Sequence, residues 1–172
     1  MARKLSHVDA RGQARMVDVG DKDVTARAAS AEAIVRMLPE TLAALRDQRT
    51  PKGDVLATVR IAGIQGAKKC AELVPLCHAI PIDAVAIEIE LGETDVRIVA
   101  HARTHARTGI EMEALTAASL AALTLYDMLK AIDRGMRFEV RLLSKTGGRS
   151  AEIIGDQASA ARAPRRPRRA RG

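Results

Sequence analysis

The sequence predicts an α+β domain in which helices pack on one face of an antiparallel sheet. Three patterns carry that expectation: apolar residues recur at helical spacing between residues 54 and 70, alternate with polar ones from Val85, and return to helical spacing from about Thr108. The chain has 172 residues, 47% apolar and 28% charged, enough for one domain with its own core. Tyr126 and Phe138 are its only aromatic residues, so the core must be built from Ala, Val, Leu, Ile and Met, and no platform for stacking nucleic-acid bases can be assembled.

Pro39, followed by Glu40 and flanked by Leu38, Leu42 and Leu45, predicts a short helix with proline at its first position that ends near Arg49 to Pro51. Asp54 is placed to cap a second helix, in which Leu56, Val59, Gly63, Ala67 and Cys70 follow helical spacing until Pro75 forbids continuation. Gly63 and Gly66 each weaken that helix by about 1 kcal/mol relative to Ala, which predicts that another backbone passes close by. Val85, Ile87, Ile89 and Leu91 then alternate with Ala86, Glu88 and Glu90, and Gly92-Glu-Thr-Asp95 supplies a turn into a return strand. In that hairpin Glu90 faces Arg97.

Leu115, Ala118, Ala122, Leu125, Leu129 and Ile132 predict a long helix from about Thr108 to Ile132, with Thr108 and Glu111 as a capping box and Gly135 as its stop. A further strand holds Phe138, Val140 and Leu142 and leads into the loop Lys145-Thr-Gly-Gly-Arg-Ser150, followed by Ile153 and Ile154. No internal repeat is present.

The formal charge of +7 is concentrated in one segment. Residues 157–172 hold six Arg and no acid, and removing them from the chain's 28 Lys plus Arg leaves 22 against 21 acidic residues. The reading is therefore one domain over residues 1–156 and a disordered Arg, Pro and Ala-rich tail over 157–172. Met1 to Gly12 has no apolar signal region, and the longest uncharged stretch, Ala114 to Tyr126, is too short to span a bilayer, so a cytoplasmic location without a membrane partner is expected. Cys70 and Cys77 do not form a disulfide framework, and the Cys-x6-Cys-His run lacks the paired short spacings of a zinc site; free thiols and no metal are expected.

Asp127 and Lys130 lie three residues apart on the long helix, nearly opposite its apolar stripe. Spacing alone supports either a surface ion pair worth about 0–1 kcal/mol or an acid/base pair. Glu113 is only about 40° from Asp127 around the helix, but fourteen residues separate the two by about 21 Å, so a single small-molecule site would need a subunit interface to use both. Cys77 and His78 are not a nucleophile and base, since adjacent residues of an extended segment point to opposite sides. Pro75 and Pro81 stiffen the segment that carries them. Arg27, Lys52, Lys68 and Lys145 fall near turns or element ends, a distribution that suits a polyphosphate, although each alone reads as a solvated cation. Gly63-Ile-Gln-Gly66-Ala-Lys68 has neither the spacing nor the terminal Ser/Thr of a phosphate-binding loop.

Taken in order, Met16-Val-Asp-Val19, Lys52-Gly-Asp-Val55, Arg60-Ile-Ala-Gly-Ile-Gln65, Pro75-Leu-Cys-His78, Thr108-Gly-Ile-Glu-Met-Glu-Ala-Leu-Thr-Ala-Ala-Ser119 and Tyr126-Asp-Met128 resemble the cyclic pyranopterin monophosphate synthase family of molybdenum cofactor biosynthesis, over roughly residues 5–154. The resemblance implies a ferredoxin-like fold and a lyase that converts (8S)-3',8-cyclo-7,8-dihydroguanosine 5'-triphosphate to cyclic pyranopterin monophosphate and pyrophosphate without a cofactor. It also implies a homohexamer, a trimer of dimers with active sites at the dimer interface. Carried onto matching positions, Asp127 resembles the active-site aspartate with Lys130 its companion. Leu76, Cys77 and His78 resemble one substrate strip, and Met112 and Glu113 another. Lys52, Lys68 and Lys145 match basic active-site positions, and Arg27 a phosphate-binding arginine; Arg107 stands where the family usually has lysine. The alternative is a non-enzymatic RNA-associated protein acting through the basic tail, against which the near-neutral body and missing aromatics count.

Overall fold

The computed structural model describes residues 8, 9 and 11–148. Ile153, Ile154, the proposed boundary at 156 and the Arg-rich tail lie outside the described residues. The elements in chain order are β1 (Thr25–Arg36), α1 (Pro39–Arg46), α2 (Val55–Lys68), α3 (Cys70–Leu73), β2 (Ala84–Leu91), β3 (Asp95–Ala106), α4 (Glu111–Leu129) and β4 (Arg137–Thr146). The strands form one antiparallel sheet in the order β2-β3-β1-β4, with α2 and α4 on one face, an α+β arrangement consistent with the ferredoxin-like fold.

β1 is the element that hydropathy alternation does not reveal, although it is central to the sheet. Its inward positions are Ala29, Ala31, Ala33 and Val35, so three of four carry only a methyl group and stand out little from their neighbours. The small side chains have a structural counterpart on the facing helix, where Ala114, Ala117, Ala118, Ala121 and Ala122 are fully buried. A layer lined by alanines on both sides brings helix and sheet close, and interiors at crystal-like density leave no room for more. On the outward face, Glu32 of β1 is 3% exposed and accepts from Arg97 Nε at 2.8 Å and Arg141 Nε at 2.5 Å.

The expected helices form, with shifted ends. Pro39 opens α1, and Asp54 caps α2 by accepting from the Ala57 N–H at 3.0 Å. Gly63 and Gly66 face α4: a Cβ on Gly63 would sit 3.3 Å from the Ala117 carbonyl, and one on Gly66 3.1 Å from that of Thr116. The close backbone expected from these glycines is therefore α4. α4 itself starts at Glu111 and stops at Leu129, short of the expected Thr108 and Ile132. Its N-cap is Ile110, with no side-chain cap, so the capping box does not form. Nor is Gly135 the stop. Asp133 shapes the turn there, accepting from the Gly135 N–H at 2.8 Å and the Leu38 N–H at 2.9 Å, which ties the approach to β4 to the start of α1. The β2–β3 register pairs Glu90 with Arg97, as expected, and their side chains meet at 3.0 Å.

The alanine layer predicts an asymmetric response to enlargement. Ala31→Leu, at a fully buried site, should lower the unfolding free energy in urea by about 1–3 kcal/mol, whereas Ala26→Leu on the exposed start of the same strand should stay within about 0.5 kcal/mol. Equal midpoints for the two variants would contradict the packing argument.

Candidate active site

α2 and α4 run antiparallel, so the loop before α2 meets the end of α4. There Asp127 Oδ1 accepts from Lys130 Nζ at 2.6 Å, and its Oδ2 from Lys52 Nζ at 2.7 Å. Lys52 also donates to the Asp127 backbone carbonyl at 2.9 Å. The Lys130 and Lys52 hydrogen bonds hold the Asp127 carboxyl down at about 2. All three side chains are roughly half exposed, so the cluster opens to solvent. Lys52, grouped by sequence with the phosphate-binding cations, is thus bound to the carboxylate.

At the other end of α4 the substrate strips suggested by the resemblance lie together. Glu113 is 2% exposed, unlike Asp127, because the segment after α3 covers the first turns of α4. Cys77 Sγ lies 3.6 Å from Glu113 Oε1 and 3.8 Å from Cys70 Sγ, and Cys70 Sγ lies 3.4 Å from Thr116 Oγ1. Both cysteines are free thiols. Burial, then the charge of Glu113, pushes the Cys77 thiol up to about 12; burial is also the main reason that the Cys70 thiol and the Glu113 carboxyl are raised. His78 turns away from Cys77, its Nε2–H donating to the Val17 carbonyl at 2.7 Å, in keeping with the rejection of a thiolate–imidazole dyad. Leu76 and Met112 are exposed beside the buried groups. Lys68, at the end of α2, is exposed.

A third group borders the start of α4. Arg27 on β1 and Lys145 on β4 line a cavity of about 350 Å³ together with Lys22, Arg107, Thr108 and Glu111. Arg27 Nε donates to the Ala106 carbonyl at 3.0 Å, which fixes the guanidinium near the mouth of the cavity. Gly147 and Gly148, both at φ +84°, turn the chain back over Arg27 after β4. Glu111 accepts from Lys145 Nζ at 2.7 Å, the interaction that replaces the expected cap. Sequence reasoning did not assign Lys22, Thr108 or Glu111 to this cavity. Lys22 has no motif around it, and a capping reading of Thr108 and Glu111 accounted for both residue types equally well.

All the candidate residues but Lys68 fall into three groups: Asp127, Lys130 and Lys52; Leu76, Cys77, His78, Met112 and Glu113; and Arg27 with Lys145. Along α4 the first group lies about 21 Å from Glu113. Among the described residues no helix is long and apolar enough to cross a membrane.

A model of the MoaC family matches residues 16–148, a span that runs from the segment before β1 through the loop after β4 and contains every residue of these three groups. The chain belongs to the MoaC family, the cyclic pyranopterin monophosphate synthases, which places it in molybdenum cofactor biosynthesis.

Proposed function

We propose that the protein is the lyase that converts (8S)-3',8-cyclo-7,8-dihydroguanosine 5'-triphosphate to cyclic pyranopterin monophosphate and pyrophosphate. The observation that carries this reading, given the family, is the Lys52–Asp127–Lys130 cluster, an anion bracketed by two ammonium groups and open to solvent. A carboxylate held near 2 is a weak base at neutral pH. Asp127 is accordingly the group that orients the ammonium groups of Lys52 and Lys130, and those two exchange protons with the purine-derived ring as it opens and rearranges. Arg27, Lys68 and Lys145 neutralise the triphosphate, and pyrophosphate leaves as the cyclic phosphate closes. The strips Leu76-Cys77-His78 and Met112-Glu113 hold the base.

In this reading the chain works as a homohexamer, a trimer of dimers, with each active site at a dimer interface. The separation of Asp127 from Glu113 along one rigid helix supports it, since a second protomer is what brings the two ends of α4 into one pocket.

Incubation with the cyclo-nucleotide, followed by detection of pyrophosphate and the pterin product, tests the reading. Lys52→Ala, Lys130→Ala and Asp127→Ala should each lower turnover at saturating substrate by about 10²–10⁴-fold; turnover near wild type in all three would remove the cluster from the mechanism. The pH behaviour is a separate expectation. A carboxyl depressed on folding stabilises the native state above its unfolded value of ~3.9 and loses that effect as pH falls through its folded value of about 2. Carboxyl ¹³C shifts should thus find Asp127 ionised throughout pH 7 to 4, and its midpoint should return toward ~3.9 in the Lys52→Met/Lys130→Met double variant.

A further inference from the structure

We propose that Cys70, Cys77 and Glu113 form a binding site for a soft divalent cation, zinc by its donor set. The three ligand atoms come from α3, the segment after it and the first turn of α4, and all lie within 4.8 Å of one another. A tetrahedral ion with Zn–S of ~2.3 Å and Zn–O of ~2.0 Å spaces two sulfurs by ~3.8 Å and a sulfur from an oxygen by ~3.5 Å. The Cys70–Cys77 sulfurs are 3.8 Å apart, and Cys77 Sγ is 3.6 Å from Glu113 Oε1. Two of the three edges thus already stand at tetrahedral lengths, with the third, Cys70 to Glu113, within 4.8 Å, whereas a disulfide would require the sulfurs to close to ~2.05 Å.

The second observation is independent of that spacing. Glu113 is only 2% exposed, and among the described residues its Oε2 has no hydrogen-bond partner. A buried carboxylate oxygen left without a donor is costly, and a cation at this point relieves it. Cys70 Sγ is also held by Thr116 Oγ1 at 3.4 Å, the kind of outer contact that orients a metal ligand. The three protein ligands leave a fourth position for water or an external ligand; since Cys77 and Glu113 also belong to the strips assigned above to the base, that position is where the base would meet a bound ion. Sequence spacing argued against a metal at Cys70 and Cys77, because the third ligand lies 36 residues beyond Cys77 on another element.

Binding must expel the thiol protons, so affinity should rise with pH, and proton release should accompany uptake. The test uses the full chain, reduced and freed of metal by a chelator, and titrated with Co²⁺. The expected result is one equivalent bound, with intense visible bands of tetrahedral cobalt and a sulfur-to-cobalt charge-transfer band, both abolished by Zn²⁺. Cys77→Ser and Glu113→Gln should each weaken binding by on the order of 100-fold, since loss of even outer contacts costs ~10–100-fold. Circular dichroism establishes that each variant is folded. On the unmutated protein, Zn²⁺ should protect both thiols from a thiol reagent, a readout that needs no variant. A weak octahedral cobalt spectrum, thiols equally reactive with and without Zn²⁺, or unchanged affinity in the folded Cys77→Ser variant would each overturn the proposal. So would loss of both thiols to a disulfide during titration with no cobalt band.

Discussion

The close seating of α4 depends on what its neighbours lack. Alanines on β1 and β3 meet alanines on α4, and glycines on α2 let the α4 backbone approach from the other side. Larger side chains on either surface would move the helix outward, because a core near crystal density has no slack to absorb them. Held from both sides over 19 residues, α4 becomes a fixed spar that carries acidic groups at each end. The positions of Glu111, Glu113 and Asp127 relative to the sheet follow from that seating more than from any local motif.

The carboxylates distributed around this spar show how the same group takes different character from its surroundings. Glu32 is buried on the outer sheet face: burial works against its charge, but hydrogen bonds from Arg97 and Arg141 outweigh it and hold the carboxyl below its usual range. Asp127 is bracketed in the same way by two lysines but is open to water, so its ion pairs contribute little to stability while fixing where two ammonium groups point. Among the described residues, no cation contributes to the titration of Glu113. Burial there outweighs the hydrogen bonds from its own backbone N–H and from Cys77, so the carboxyl is raised, and burial raises the neighbouring thiols as well. Two of these environments favour the charged carboxylate, and the third disfavours it.

Elements with strong local signals were legible in the sequence. Pro39 and Asp54 mark helix starts by backbone chemistry, and the β2–β3 hairpin is marked by strict alternation and a four-residue turn. β1 was not legible because alanine has low strand preference and little hydropathic contrast, and its strand state is imposed by pairing with β3 and β4 on both edges. The ends of α4 were misread for a related reason. Thr108 and Glu111 satisfy a capping pattern, yet Lys145 from the far end of the chain reaches Glu111 and offers a charged partner in place of a neutral backbone N–H. The Asp127–Lys130 contact was local and readable; that of Lys52 with the same carboxylate spans 75 residues and was not.

The geometry of the spar also constrains how the family's chemistry can be arranged in the proposed reading. A substrate with a purine-derived ring and a triphosphate needs cations for the phosphates, proton donors for the ring and a surface for the base. Each of these exists on one protomer, but the donors beside Asp127 and the strips beside Glu113 sit about 21 Å apart along one continuous helix. Convergence therefore has to come from outside the chain. A two-fold interface that sets the start of one α4 near the end of its partner's supplies it twice over, because in an isologous contact each end meets the opposite end of the other copy. A monomer would then retain every functional group and still lack a complete pocket, so the oligomer in this reading is part of the active site itself.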